Sequence, residues 1–123
     1  MTLDLLIGAL MVLGRVDDAE GPLAELAAVV AGLPGVALAK ATLSFRLAAR
    51  ARLRGDFDLA DQTLLTVGDA VEAHKETLGP AAVASAERGE VALARGDGYG
   101  AQICFEHAAR LWTAVGRRAT WGL

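Results

Sequence analysis

A glycine followed five residues later by an alanine recurs three times along this chain at a spacing of 41 residues: Gly14 and Ala19, Gly55 and Ala60, Gly96 and Ala101. A fixed period of 20 to 50 residues is the mark of a repeat architecture, in which each unit buries its apolar face against the next. Laying the chain on itself at 41 aligns Leu23, Leu64 and Phe105, then Leu26, Val67 and Ala108, then Val30, Val71 and Trp112. These rows step by three and four residues, which is one face of a helix. Leu10, Ala51 and Ala92 form a further row. Val, Ile and Thr form no alternating run, so strands are not signalled.

The sequence therefore predicts one domain over residues 1–123, built from three helical hairpins. The expected A helices span Thr2–Leu13, Val36–Arg54 and Ala81–Arg95, and the B helices Asp18–Leu33, Leu59–Leu78 and Gly100–Val115. The repeats fall at about 1–35, 36–79 and 80–116, with a tail at 117–123. Gly14, Gly55 and Gly96 end the A helices, where a left-handed residue suits glycine. Gly35, Gly79 and Gly116 are expected to end the B helices, with Pro34 and Pro80 beside the first two. Asp17 and Asp58 are placed to cap the B helices, and Asp17 with Glu20 has the spacing of a capping box. Pro22 falls in the first turns of the first B helix and predicts a late start or a kink there.

Composition narrows the function. Hydrophobic residues make up 54% but aromatics only 5%, so the core is built from Ala, Leu and Val. Net charge is −3, without the basic excess of a general nucleic-acid binder. One cysteine, Cys104, excludes an internal disulfide and fits a reducing, cytoplasmic setting. The apolar run Leu5–Leu13 is preceded by Asp4 and followed by Arg15-Val16-Asp17-Asp18, which is wrong for a signal peptide, and it is too short to span a membrane.

The stretch Gly55-Asp56-Phe57-Asp58-Leu59-Ala60, with Leu64 beyond it, resembles the turn of tetratricopeptide-type repeats. Gly89 matches a glycine that this family favours in its A helix, and Ala48 stands near that pattern. The 41-residue period is longer than the family's usual unit of about 34 residues. It resembles the extended variants, the kinesin light chain type, whose Leu-Gly-Pro turn is matched by Thr77-Leu78-Gly79-Pro80, and the superhelical region of large LuxR-type bacterial regulators. The first turn lacks the aromatic, and the third has glycines in its place.

The resemblance implies an all-α, right-handed α-α superhelix whose A helices line a groove for a protein partner. Carried over residue by residue, the groove positions are Thr42, Phe45, Ala49, Arg52 and Leu53, then Val83, Ala86, Glu90 and Leu93, with Asp4, Gly8, Met11 and Val12 in the first repeat. The expected occupant is a peptide or helix, with Arg52 and Glu90 setting its register. A second copy of the chain is a further candidate, through Leu3, Leu6 and Leu10 of the first A helix. The alternative is a sensor or regulatory fragment of a larger bacterial transcription regulator.

Other chemistry is thinly signalled. Arg46, Arg50 and Arg54 form one stripe, readable as an anion site or as a partner for the acids of neighbouring helices. Those acids are Asp58, Asp61, Asp69, Glu72 and Glu76 on the second B helix and Asp18, Glu20 and Glu25 on the first. Cys104 and His107 share a face, but two ligands do not make a zinc site. His74 sits in an apolar row and reads as structural. Trp112 continues a core row, and Trp121 is expected to fold over the last hairpin. Glu87 and Glu90 lack a partner that would make an acid–base pair, and no nucleotide loop or nucleophile arrangement is present. No enzyme, metal or cofactor is expected, and neither nucleic acid nor membrane is an expected partner.

Overall fold

In the computed structural model, residues 2–33, 37–72 and 78–121 are described, with side chains left aside at 37–38, 68–72, 78 and 117–121. Six helices carry these residues: α1 Leu3–Val12, α2 Glu20–Ala31, α3 Ala37–Leu53, α4 Phe57–Glu72, α5 Leu78–Ala94 and α6 Gly98–Trp121. No strand occurs among the described residues. The chain divides into two compact units, Met1–Thr63 and Leu64–Leu123.

The three 41-spaced glycines are the joints. Gly14, Gly55 and Gly96 have φ of +73°, +83° and +85°, and no other residue among those described has a positive φ. The same hydrogen-bond pair closes each joint. Gly14 N–H donates to Met11 C=O at 3.0 Å and Arg15 N–H to Leu10 C=O at 2.8 Å. Gly55 and Asp56 repeat this on Arg52 and Ala51, and Gly96 and Asp97 on Leu93 and Ala92. This is the Schellman closure, in which two amides beyond the helix satisfy carbonyls left without partners inside it. The row Leu10, Ala51, Ala92 supplies the inner acceptor each time.

The residue after each glycine decides how the next helix starts. Asp56 Oδ1 accepts from Leu59 N–H at 3.3 Å, and Asp97 Oδ1 from Gly100 N–H at 2.8 Å. These two aspartates therefore cap α4 and α6, and each of these joints needs only three residues. The capping role expected for Asp58 belongs to Asp56; Asp58 lies in the first turn of α4. In the first joint the equivalent residue is Arg15, which cannot accept from an amide. It pairs with Asp18 at 2.8 Å instead. There the chain enters through a 3₁₀ turn, Asp17–Ala19, and α2 starts at Glu20 with no side-chain cap. Asp17 is thus not the cap it was expected to be. Pro22 sits in the first turn of α2, where its missing N–H would have had no partner. Asp97→Ala should cost about 1 kcal/mol in urea unfolding, whereas Asp58→Ala should leave the start of α4 capped.

Two expected helix ends are displaced. α4 is assigned to Glu72, and Gly79-Pro80 lies in the first turn of α5 rather than beyond the preceding helix. Proline is tolerated there for the reason that holds at Pro22. Gly116 does not end the last helix, because α6 runs through it to Trp121 and replaces the expected tail. An interior glycine costs about 1 kcal/mol, too little to stop a helix otherwise supported by packing. Pro34 and Gly35 lie outside the described residues.

Within the first unit, α3 packs on both α1 and α2. Ile7, Leu10, Met11, Ala19, Leu23 and Ala49 form the buried cluster, with Leu26, Leu43 and Leu47 against it. Within the second unit, α5 and α6 pack along their length. At Gly89 a β-carbon would lie 2.6 Å from the Phe105 ring. Ser85, buried on α5, donates to the Cys104 carbonyl of α6 at 2.9 Å. Ala19, Ala60 and Ala101, five residues after the joint glycines, are all buried.

Candidate functional site

The arginine stripe of α3 is engaged inside the first unit. Arg46 Nε donates to Asp4 Oδ1 at 2.6 Å. Arg50 Nη1 lies 3.3 and 3.2 Å from the two Glu20 carboxylate oxygens. Arg54 Nη2 reaches Glu20 at 2.9 Å and Asp17 at 3.5 Å. The stripe therefore ties α3 to α1 and to the start of α2. Cross-helix pairing is the reading the geometry selects, with Asp4 and Asp17 as partners that the sequence argument had not assigned to it. Gly8 lies beneath the Arg46 guanidinium, which would stand 3.0 Å from a β-carbon there. Gly8 thus belongs to the seam between α1 and α3. Both members of the Arg46–Asp4 pair are half-buried. Arg46→Ala should cost about 1 kcal/mol, and its coupling to Asp4→Ala should shrink as salt is raised. A double-mutant cycle at two salt concentrations measures this.

The groove positions taken from the repeat pattern fall on one helical face in each unit, judged from their spacing along α3 and α5. On α3, Thr42, Phe45 and Arg52 are half-buried and Leu53 is exposed, while Ala49 is buried in the core cluster beside Met11. Ala49 and Met11 are therefore core residues and not the groove-lining positions expected of them. On α5, Val83 and Ala86 are half-buried, and Glu90 and Leu93 are exposed. Arg52 carries a further feature. Its Nε is shielded from solvent and has no hydrogen-bond partner, as is also true of Arg88 Nε on α5.

A separate open cleft of about 450 Å³ lies between the end of α3 and the start of α4, lined by Leu47, Arg50, Ala51, Arg54, Asp56, Leu59 and Thr63. Its polar side chains have partners within the protein. Arg50 and Arg54 hold Glu20, Asp56 caps α4, and Thr63 Oγ1 donates to the Leu59 carbonyl at 2.8 Å.

The remaining candidates are quickly placed. Among the described residues no cluster of His, Cys, Asp or Glu could hold a metal ion. Cys104 and His107 are half-buried on α6. Trp112 is 48% exposed rather than core, with its ring 4.0 Å from the position of a β-carbon on Gly79. His74 lies outside the described residues, as does the side chain of Trp121. Among the described residues no helix is long and apolar enough to cross a membrane.

The sequence argument missed how α1 divides its leucines. Ile7, Leu10 and Met11 face the core, and Leu3 is half-buried. Leu5, Ala9, Val12 and Leu13 form the opposite, exposed face, with Leu6 at its edge. Of the three residues expected to pair with a second copy, Leu10 is buried and Leu3 half-buried; only Leu6 borders the exposed face. The missing signal was the helical register: Leu5, Ala9, Val12 and Leu13 follow the i, i+4, i+7, i+8 spacing of a second apolar stripe.

No family model matches the chain, and neither a curated protein nor a solved structure does.

Proposed function

We propose that the chain is a tetratricopeptide-like, protein-binding repeat that holds a peptide or helix against α3, at Thr42, Phe45, Arg52 and Leu53. In this reading α1, α3 and α5 are the A helices of a superhelix. The three equal Schellman joints support it, because equal joints at a fixed period make successive hairpins alike.

The observation that carries the binding role is Arg52. A shielded N–H without an acceptor costs about 1–3 kcal/mol and calls for an explanation. In the folded chain that N–H is as far out of a partner's reach as out of water's, so on a face with Phe45, Thr42 and the exposed Leu53 a partner's carboxylate pairs with the charge of the guanidinium and an apolar side chain covers Leu53. Buried anchors of this kind, with arginine prominent among them, carry most of the energy of interfaces. Glu90 and Leu93 offer an equivalent mix of one charge and one exposed apolar group on α5.

The test is selection of displayed peptides on the folded chain, followed by titration of the enriched peptide. Arg52→Ala should weaken binding at least about 10-fold, the loss of one charge-assisted hydrogen bond, with the far-ultraviolet circular dichroism unchanged. Failure to enrich any peptide, or equal affinity for Arg52→Ala, contradicts the proposal.

A further inference from the structure

We infer that α1 is a homodimerisation helix, pairing antiparallel with α1 of a second copy about a two-fold axis at Ala9. This does not rest on the proposed peptide contacts, which lie on α3, and it assigns Val12, a groove position by resemblance, to a contact between copies instead.

The exposed face of α1 is large, apolar and uncharged. Val12 is 89% exposed, Leu13 67% and Leu5 61%. Between Asp4 and Arg15 no residue carries a charge, and Asp4 is held by Arg46 on α3. A helix apolar on both sides ordinarily has both sides covered. Here only the side bearing Ile7, Leu10 and Met11 is covered within the protomer.

The order of residues on the open face selects the occupant. An isologous interface places one patch against itself, so that residue i meets j and j meets i. In an antiparallel helix pair centred on Ala9, Leu5 meets Leu13 and Leu6 meets Val12, and the two Ala9 side chains meet at the axis. The stripe thus reads the same in both directions: large, small, large. The small residue stands where two backbones approach most closely, and the leucines and valines interdigitate on either side. No charged residue of the face has to be buried, and no like charges are brought together at its centre. The arginine stripe of α3 makes the contrast. At the equivalent positions 41 residues on, Leu5, Ala9 and Leu13 are replaced by Arg46, Arg50 and Arg54, which use acids of the same chain to dock on α1 and α2. On α1 the same positions are apolar and have no acid to find.

Light scattering on the full chain over a dilution series tests the inference. The expected result is a dimer mass that falls to the monomer on dilution. Val12→Glu should weaken dimerisation at least about 100-fold, because it places an unpaired carboxylate in the apolar contact. Since Val12 has almost no contacts within the protomer, the helical spectrum should not change. Ala9→Cys in a Cys104→Ser chain should form a disulfide-linked dimer under mild oxidation, because residues on the axis come within the short β-carbon spacing a disulfide needs. Val12→Cys in the same background should not link to itself. A chain monomeric at every concentration, or a dimer that survives Val12→Glu, overturns the inference. A dimer lost with Val12→Glu but not cross-linked through Ala9→Cys overturns the antiparallel register. Binding of a selected peptide that depends on Arg52 would be unaffected by any of these outcomes, so the two proposals fail separately.

Discussion

Gly89→Ala should lower the unfolding free energy by about 2 kcal/mol, and adding Phe105→Leu should return at least half of that loss. A β-carbon at Gly89 would stand 2.6–2.8 Å from three atoms of the Phe105 ring, closer than carbon atoms approach without displacement. The helices cannot simply spread to relieve this, because α5 and α6 are also fastened at Ser85 and Cys104. The repeat shows how the strain would be relieved. At the two positions 41 residues apart, the chain carries Ile7 with Leu23, then Ala48 with Leu64, then Gly89 with Phe105. The A-helix residue shrinks to glycine where the B-helix residue grows to phenylalanine. Volume-conserving exchanges are the ones cores tolerate best. Alanine with leucine fills about the same volume as glycine with phenylalanine, so the double variant should fold well. Urea unfolding of the two single variants and the double gives the coupling directly. A Gly89→Ala chain as stable as its parent would contradict this account of the helix pair, as would a double variant no better than Gly89→Ala.

Ile7→Ala should be costlier, at about 3–4 kcal/mol. Ile7 is fully buried at the centre of the first unit, among Leu10, Met11, Leu23 and Ala49. Its removal deletes three carbons from the middle of a packed cluster. The surrounding helices relax only in part into the space, so the cavity term adds to the transfer term. The contrast with Val12, five residues along the same helix, is the informative part. Val12→Ala removes two carbons that water already reaches and should change stability by less than about 0.5 kcal/mol. Thermal unfolding of both variants, at a protein concentration low enough to keep the chain monomeric, separates core from surface on α1. Similar losses for the two would mean that the inner and outer faces have been assigned wrongly.

Much of the fold was legible because glycine at positive φ leaves a strong trace in sequence. The three joints were found from Gly14, Gly55 and Gly96 alone, and each has the left-handed conformation. The caps were read two residues late. A Schellman closure uses the residue after the glycine, so a Gly-Asp pair ends one helix and caps the next; Asp56 and Asp97 do both. Gly79-Pro80 was read as a stop although proline within a first turn marks a start, because the amides there lack partners in any case. The arginine stripe was legible as a helix-pairing device, since its four-residue spacing places three cations on one face. Its partners were not, because Asp4 stands 42 residues from Arg46 and only the packing of α3 on α1 brings them together. The unmet Nε of Arg52 left no sequence trace, because it depends on what surrounds the guanidinium in the folded chain.

The central claim is that the α3 face around Arg52 holds a protein segment. Backbone-amide shift mapping of the full chain, titrated with a peptide selected on it, tests that claim most directly. The account predicts that the largest changes fall at Thr42, Phe45, Arg52 and Leu53, and that Arg52→Ala abolishes them. Changes confined to α1 or α6, with the amides of α3 unmoved, would contradict it.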